Sequence, residues 1–180
     1  TSKINEEKNP RLVNIVVYGQ HPSASTQLMS SVGALCNQIR LLSPNRKIIL
    51  TGLHLSALPE KTLREENCDF GCEGAGFYTL LELIQRRPLN EILGLWWKEN
   101  GEIKHNQRAP NVRNLTEELN EVAWDLLPMN KYKAHNWQCL DNLENRNYYA
   151  SISTSLGCPF NCSFCSIKAT FGGERIIRCW

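Results

Sequence analysis

The 180-residue chain has the composition of an ordinary globular protein, with 42% hydrophobic residues and a formal net charge of +2. This charge is too small to indicate binding to nucleic acid or to a membrane surface. No apolar run approaches the roughly 20 residues of a membrane span. The start, 1–7, lacks the apolar stretch of a signal peptide, and it lacks Met, so we expect a cut or processed N-terminus. Eight scattered cysteines favour reduced thiols in the cytoplasm over a disulfide scaffold.

The first predicted unit is a strand, a loop and a helix. The apolar and β-branched run over 12–18 predicts a strand buried on both faces. Small and hydroxyl residues over 19–26 predict a loop in which Ser23 or Ser25 caps the next helix. A helix is predicted by apolar residues at helical spacing, namely Leu28, Val32, Leu35, Ile39 and Leu42.

Two more such units follow in the sequence. The second has a strand at 47–51, a loop at 52–59 and a helix at 60–66, with Pro59 at or just before its first turn. The third has a strand at 68–72, a loop at 73–76 and a helix at 78–86. This alternation predicts a doubly wound α/β sheet, in which ligands bind beyond the carboxyl ends of the strands. All three loops are expected at that end.

The middle of the chain is predicted to connect two domains. Asn100-Gly101 separates two strand-like runs and predicts a hairpin, and 108–114 is typical of a linker. Trp124, Leu126 and Leu127 are expected to be buried as an anchor. Alternating β-branched and aromatic residues over 148–155 predict the first strand of a new sheet, which Gly157 ends.

Three thiols then follow at the spacing C-x3-C-x2-C in residues 158–165, a segment called the cysteine loop below. Thiolates are ligands for iron–sulfur clusters, Cu(I) or zinc, and a structural zinc site needs four ligands rather than three. A zinc site closed by Cys179 is the alternative to a cluster at this loop. Gly172-Gly173-Glu174 is predicted to form a turn.

With Phe164 before the last cysteine and Ser155-Leu156-Gly157 before the first, the cysteine loop resembles the cluster motif of radical S-adenosylmethionine (radical SAM) enzymes. The resemblance implies a [4Fe-4S] cluster on Cys158, Cys162 and Cys165. The open iron would bind S-adenosylmethionine, whose reductive cleavage yields a 5′-deoxyadenosyl radical. Phe164 would pack beside the cluster, and main-chain groups near Ser166 would help seat the adenine. It also implies a small-molecule or natural-product substrate and an electron donor of the flavodoxin or ferredoxin type.

The three loops of the α/β half resemble those of the cobalamin (B12)-binding domain that precedes many radical SAM barrels. Cys72 and Ala75 depart from that family's Gly-Glu-Gly-Glu pattern, and the Asp-x-His-x-x-Gly motif of cobalamin mutases is absent. We therefore do not expect His21 or His54 to bind cobalt. The resemblance implies cobalamin contacts from Tyr18, Gly19, Gln20, Ser23, Ser25, Thr26, Gly52, Leu53, His54, Glu73 and Gly74.

Together these patterns predict a Rossmann-like parallel sheet of cobalamin-binding type, a connector, and the first strand and cluster loop of a partial (βα)6 barrel. The expected boundaries are 1–90 for the sheet domain, 91–146 for the hairpin and connector, and 147–180 for the start of the barrel. The family pattern implies truncation at both ends and a fragment inactive alone. The parent would be a radical SAM enzyme, and a methyltransferase if cobalamin carries a methyl group. The alternative is a non-catalytic cobalamin-binding or docking module with a structural metal site.

Overall fold

The computed structural model describes residues 10–18, 24–119, 122–135, 144–150, 152 and 154–179. The chain divides into two compact units. The first combines residues 1–111 with residues 157–176, and the second combines residues 112–156 with residues 177–180. The cysteine loop therefore belongs to the same compact unit as the predicted α/β half.

The first unit is built on a five-stranded sheet in the order β1-β2-β3-β4-β5. Its strands are β1 (Leu12–Val17), β2 (Lys47–Gly52), β3 (Phe70–Cys72), β4 (Leu95–Glu99) and β5 (Glu102–His105). β1, β2 and β3 are parallel, and β4 and β5 continue the sheet in antiparallel pairs. The mixed α/β fold with a Rossmann-like parallel part is confirmed.

Helices cover both faces of this sheet. They are α1 (Ala24–Gln27), α2 (Met29–Leu42), α3 (Leu53–Ala57), α4 (Pro59–Glu65) and α5 (Phe77–Ile84), and a 3-10 turn spans Leu89–Glu91. On one face Ile48 and Leu50 pack with buried side chains of α2, α3 and α4. On the other face Ile49 packs with Leu95 and with Leu80 and Leu83 of α5. This alternation along β2 is the period of two that a strand requires, and it places a core on each side.

Strand β1 differs from its prediction. Its apolar run predicted burial on both faces, but Asn14 and Val16 are exposed, and Val16 is 56% exposed. The reason is that β1 stands at one edge of the described sheet, where only β2 pairs with it. Periodicity identifies a strand, whereas burial on both faces depends on its neighbours.

The second predicted loop is wrong in part, because α3 and α4 occupy most of 52–59. Pro59 stands in the first turn of α4, as expected. The predicted cap of the first long helix is also wrong for Ser25. This residue lies within the short helix α1, and α2 has Leu28 at its N-cap with no side-chain hydrogen bond.

The hairpin is confirmed. Asn100 and Gly101 have φ values of 52° and 84°, and positive φ at both central residues is the geometry that favours Asn-Gly turns between strands. The hairpin joins the sheet through β3 and β4, where Gly71 faces Trp96. A Cβ on Gly71 would approach the Leu63 side chain to 2.6 Å, so a larger residue there would displace the side chain that packs α4 on β3.

The second unit contains short elements. They are α6 (Leu115–Glu118), 3-10 turns at Trp124–Leu126 and Met129–Lys131, and strand residues of β6 (Ser155–Gly157) and β7 (Ile177–Cys179), which form a two-stranded sheet. Gly157 of β6 belongs to the first unit. None of the described helices has the length and apolar character that a bilayer crossing demands.

Two predictions for this region are wrong. Trp124, Leu126 and Leu127 are 37%, 78% and 41% exposed rather than buried, because the side chains described around them do not cover them. Among the described residues of the strand predicted over 148–155, Tyr148 forms a bridge with Lys133, and regular strand structure is found at Ser155. Residues 151 and 153 lie outside the described residues.

Candidate functional site

The carboxyl ends of β1, β2 and β3 meet at one edge of the sheet, as the parallel order predicts. Gly52 ends β2 with φ of 123°, and a Cβ there would lie 2.3 Å from the carbonyl oxygen of Val17. Only glycine fits, because both its backbone conformation and the approach of β1 exclude a side chain. Tyr18 follows β1 at the same edge and is 51% exposed.

A hydrogen bond between Thr26 and His54 joins the first two βα connections. Thr26 Oγ1 lies 3.0 Å from His54 Nδ1, and Thr26 is exposed. Partial burial, followed by the charge of Lys61, lowers the pKa of His54 below its usual value. The ring is therefore neutral at neutral pH and available for hydrogen bonding at this edge. Leu53, beside it, is buried.

Ser56 joins the second connection to the third, a role that the sequence did not reveal. Its hydroxyl donates to Gly52 O at 2.8 Å and accepts from Gly74 N–H at 3.0 Å. Ser56 and Gly74 are both buried, so this hydroxyl is the partner that the Gly74 amide needs. A serine within a small-residue segment carries no signal that separates this role from a turn.

Glu73 is engaged on both sides. Its Oε2 accepts from Trp96 Nε1 at 2.9 Å, and its Oε1 lies 3.5 Å from Arg108 Nη1. The Trp96 ring stacks on His105 with centroids 4.2 Å apart. Trp96 thus holds Glu73 of the third loop, whereas Trp97 is buried in a core cluster, and both agree with a packing role.

The cysteine loop follows β6 directly, as predicted for chemistry carried beyond the end of a strand. Cys158 and Cys165 are partly exposed, Cys162 is exposed, and all three thiols are free. Cys165 N–H donates to Cys162 O at 3.3 Å, so a tight turn holds these two residues close together. Phe164, within that turn, is 89% exposed.

The donor chemistry of this loop fits an iron–sulfur cluster, since three free thiols lie within eight residues. They are not gathered around one point, however. The part of the chain that the structure describes holds no group of three His, Cys, Asp or Glu residues that could hold a metal ion. Bringing Cys158 together with the Cys162–Cys165 turn is thus a requirement for metal binding here.

Helix α7 (Ile167–Phe171) follows the cysteine loop and packs against α3. Its last carbonyls accept hydrogen bonds from a segment some 60 residues earlier in the chain. Arg108 Nη1 donates to Ala169 O at 2.8 Å and Nη2 donates to Thr170 O, while Asn111 Nδ2 donates to Phe171 O at 3.0 Å. We call Arg108 and Asn111 the carbonyl clamp. Gly172 ends the helix with φ of 66°, and Gly173 continues the predicted turn with φ of 77°.

The clamp places α7 beside the third βα loop. A Cβ on Gly74 would lie 3.5 Å from Arg108 Nη2 and 3.6 Å from Thr170 O. The segment after the cysteine loop therefore packs on the same edge of the sheet as Ser56 and Glu73. The sequence predicted 108–114 only as a linker, because nothing in the pattern pairs Arg108 with Thr170.

Of the predicted cobalamin contacts, the structure brings Thr26 and His54 together and directs Glu73 toward Trp96 and Arg108. Ser25 is buried. Gly19, Gln20, His21 and Ser23 lie outside the described residues.

Three other described cysteines are buried. Burial raises the pKa of Cys36 to about 11, of Cys68 to about 12 and of Cys72 to about 11. We call these three the buried thiols. They pack in the cores of the sheet unit, which marks them as structural rather than reactive.

The chain has a mixed α/β fold with a Rossmann-like parallel sheet. It superposes on two structures of the radical S-adenosylmethionine methyltransferase TsrM from Kitasatospora setae. One, with cobalamin and [4Fe-4S] cluster bound, gives a TM-score of 0.51 at 19% identity, covering 62% of this chain and 21% of that one. The other, with tryptophan substrate and the SAM analogue aza-SAM bound, gives 0.50 at 18% identity, covering 59% and 21%. At this identity the similarity establishes the fold.

In sequence, the chain is 34% identical over 189 aligned positions to an uncharacterized methyltransferase, PH0819, from Pyrococcus horikoshii. The match takes in 98% of this chain but 37% of the relative, so the chain spans little more than a third of that protein's length. No family model matches the chain.

Proposed function

We propose that the chain is part of a cobalamin-dependent radical SAM methyltransferase. The observation that carries this proposal is a C-x3-C-x2-C loop in one compact unit with a sheet whose fold matches that of TsrM. The methyltransferase name of the Pyrococcus relative supports the reaction class. The domain boundaries at 90 and 146 remain part of the proposal.

In this proposal Cys158, Cys162 and Cys165 hold a [4Fe-4S] cluster as thiolates, and a fourth protein ligand is not needed. When bound, the cluster supplies the electron and the open coordination site that split S-adenosylmethionine. Exposure of the three thiols gives iron and sulfide access to them during assembly. In this proposal Phe164, which is 89% exposed, packs beside the cluster once the cluster is bound.

The edge formed by Tyr18, Thr26 and His54 is the proposed cobalamin surface. The neutral His54 ring, fixed by Thr26, offers a hydrogen bond rather than a positive charge. Gly52 leaves this part of the edge without a side chain, because the approach of β1 excludes one. When bound, cobalamin would supply the methyl carrier, and the substrate is proposed to be a small molecule.

Anaerobic reconstitution with iron and sulfide tests the cluster. We expect about four irons and four sulfides per chain and a broad brown absorbance. Both should be lost when the three cysteines of the loop are changed to Ala. Cys179→Ala is the matched control, because Cys179 is an exposed thiol outside the loop, and it should retain the full iron content. One tightly bound zinc without sulfide, lost on Cys179→Ala, would instead support the docking module with a structural metal site.

Incubation with hydroxocobalamin followed by gel filtration tests the second cofactor. We expect the protein to retain the corrinoid absorbance, and we expect His54→Leu to reduce the retained fraction. Arg64→Gln removes an exposed charge of α4 that does not act on His54 and serves as the control. A wild-type protein that retains no corrinoid would contradict the cobalamin part of the proposal.

A further inference from the structure

The helix after the cysteine loop ends unusually for so short an element. Helix α7 has five residues, and the carbonyls of three of them bond to side chains of the carbonyl clamp. The last carbonyls of a helix have no partner within it, and a nearby cation also complements the helix dipole. A five-residue helix is not stable by itself in water, so these contacts fix its position.

The guanidinium of Arg108 is held from its other side. Glu73 lies 3.5 Å from Nη1, and the side chains of Arg108 and Glu73 are 26% and 22% exposed. Glu73 is itself oriented by the indole N–H of Trp96 on β4. A chain of contacts thus runs from the sheet through Glu73 and Arg108 to the end of α7.

Two glycines lie beside the guanidinium. A Cβ on Gly172 would stand 3.4 Å from Arg108 Nε and one on Gly74 would stand 3.5 Å from Nη2, which are ordinary contact distances. The positive φ of both residues, rather than lack of space, is what favours glycine at these positions. The planar guanidinium is therefore enclosed between the third βα loop and the turn that ends α7.

We propose that Arg108 is a positioning residue that sets the location of the cysteine loop relative to the cobalamin edge of the sheet. It does so by holding α7, which begins two residues after Cys165, against the Glu73–Gly74 loop. The inference rests on the proposed function in that the loop and the edge are taken to carry the two cofactors. Arg108 itself touches neither, and its effect passes through the backbone of α7.

The first measurement needs no cofactor. Hydrogen exchange of the amides of 169–174 in the metal-free protein is compared between wild type, Arg108→Ala and Arg108→Lys. We expect exchange to rise about tenfold in Arg108→Ala, because two charge-assisted hydrogen bonds are lost. Arg108→Lys should fall between the two, because an ammonium keeps the charge but not the planar fork that spans two carbonyls. Arg64→Ala, which removes an exposed arginine of the same unit, is the control and should leave these amides unchanged.

The second measurement is spectroscopic and uses the protein loaded with both cofactors. The magnetic coupling between the reduced cluster and cob(II)alamin depends steeply on their separation. We expect Arg108→Ala to change or broaden this coupling at unchanged iron and corrinoid content, with partial recovery in Arg108→Lys. A structural role confined to folding would lower cofactor content instead, and that outcome would overturn the inference.

The two readouts keep the inference separate from the proposed function. If wild-type protein binds neither cofactor, the proposed function fails, and the exchange data still decide whether Arg108 positions α7. If both cofactors bind and neither exchange nor coupling responds to Arg108→Ala, the positioning role is refuted while the proposed function stands.

Discussion

Replacing Ser56 by Ala removes one oxygen from the junction of two βα connections. The hydroxyl is the hydrogen-bond partner of the buried Gly74 amide at 3.0 Å, and it donates to Gly52 O at 2.8 Å. No cavity of consequence is created, so the effect isolates the loss of the hydrogen bonds.

The magnitude follows from the groups left behind. A buried N–H without a partner costs about 1–3 kcal/mol. The bond to Gly52 O is an i to i−4 bond of a helical serine and contributes little. Alanine recovers about 0.5 kcal/mol through its higher helix propensity. We expect a net loss of about 1.5 kcal/mol, which corresponds to roughly tenfold less protection of the Gly74 amide.

The control is Thr62→Val. Thr62 is also buried on a helix, and its hydroxyl donates at 2.7 Å to the carbonyl of Leu58, four residues earlier. In the described hydrogen bonds, no amide of another loop donates to this hydroxyl. We expect Thr62→Val to change the free energy of unfolding by less than about 0.5 kcal/mol, because the Leu58 carbonyl keeps its backbone partner, the Thr62 N–H.

Both variants are measured by urea unfolding in reducing buffer and by hydrogen exchange at Gly74. The reasoning is refuted if Ser56→Ala and Thr62→Val lose equal stability, or if Gly74 keeps its protection in Ser56→Ala. It is also refuted if Ser56→Ala is less stable but the exchange of the Gly74 amide rises no more than that of the neighbouring amides.

Three further predictions concern backbone, charge and thiols. Gly52→Ala should cost more than about 3 kcal/mol in urea unfolding or prevent folding, because strain at positive φ adds to overlap with a carbonyl. In the control, Gly101→Ala, the added Cβ would meet no atom within 4 Å, and we expect a cost of about 1 kcal/mol. Burial by itself would raise the pKa of Asp69, but hydrogen bonds from Ile48 N–H, Lys47 and Arg40 lower it overall. The stability that Asp69 contributes is therefore complete above about pH 4 and is lost as the pH falls through the folded-state pKa. Asp69→Asn should lower the free energy of unfolding by about 2 kcal/mol at pH 6 and flatten its decrease at acidic pH. An unchanged decrease at acidic pH would contradict this assignment. Iodoacetamide at pH 8 should label the cysteine loop in the native protein but reach the buried thiols only in urea, as mass spectrometry would show; early labelling of Cys36 would disprove its burial.

The sequence was sufficient for elements whose pattern is local. The three parallel strands, the Asn100-Gly101 hairpin and the helix begun by Pro59 each follow from periodicity or turn chemistry over a few residues. The same reasoning failed at β1, where burial depends on a neighbouring strand. It also failed at Trp124 and Leu126, whose burial requires a partner surface that the described residues do not provide.

The candidate site shows the same division. The C-x3-C-x2-C spacing and the glycines at the strand ends are readable, because their chemistry lies in adjacent residues. Ser56, Arg108 and Asn111 are not, because each acts through a backbone group 18 to 62 residues away. A polar residue in a segment that is typical of a linker gives no indication of the carbonyl it will meet. Whether the predicted cofactor residues bind their cofactors stays a prediction.

The carbonyl clamp also has a consequence for the order in which the protein is made. Arg108 emerges from the ribosome 62 residues before Thr170, which at 5–20 residues per second is a delay of roughly 3–12 s. The sheet strands are all synthesised by then, so α7 reaches a surface that has had time to form. Closing a segment of this length costs about 4 kcal/mol in chain entropy. The docking of α7 is therefore expected to be a late step in biogenesis, after the strands of the five-stranded sheet have been made.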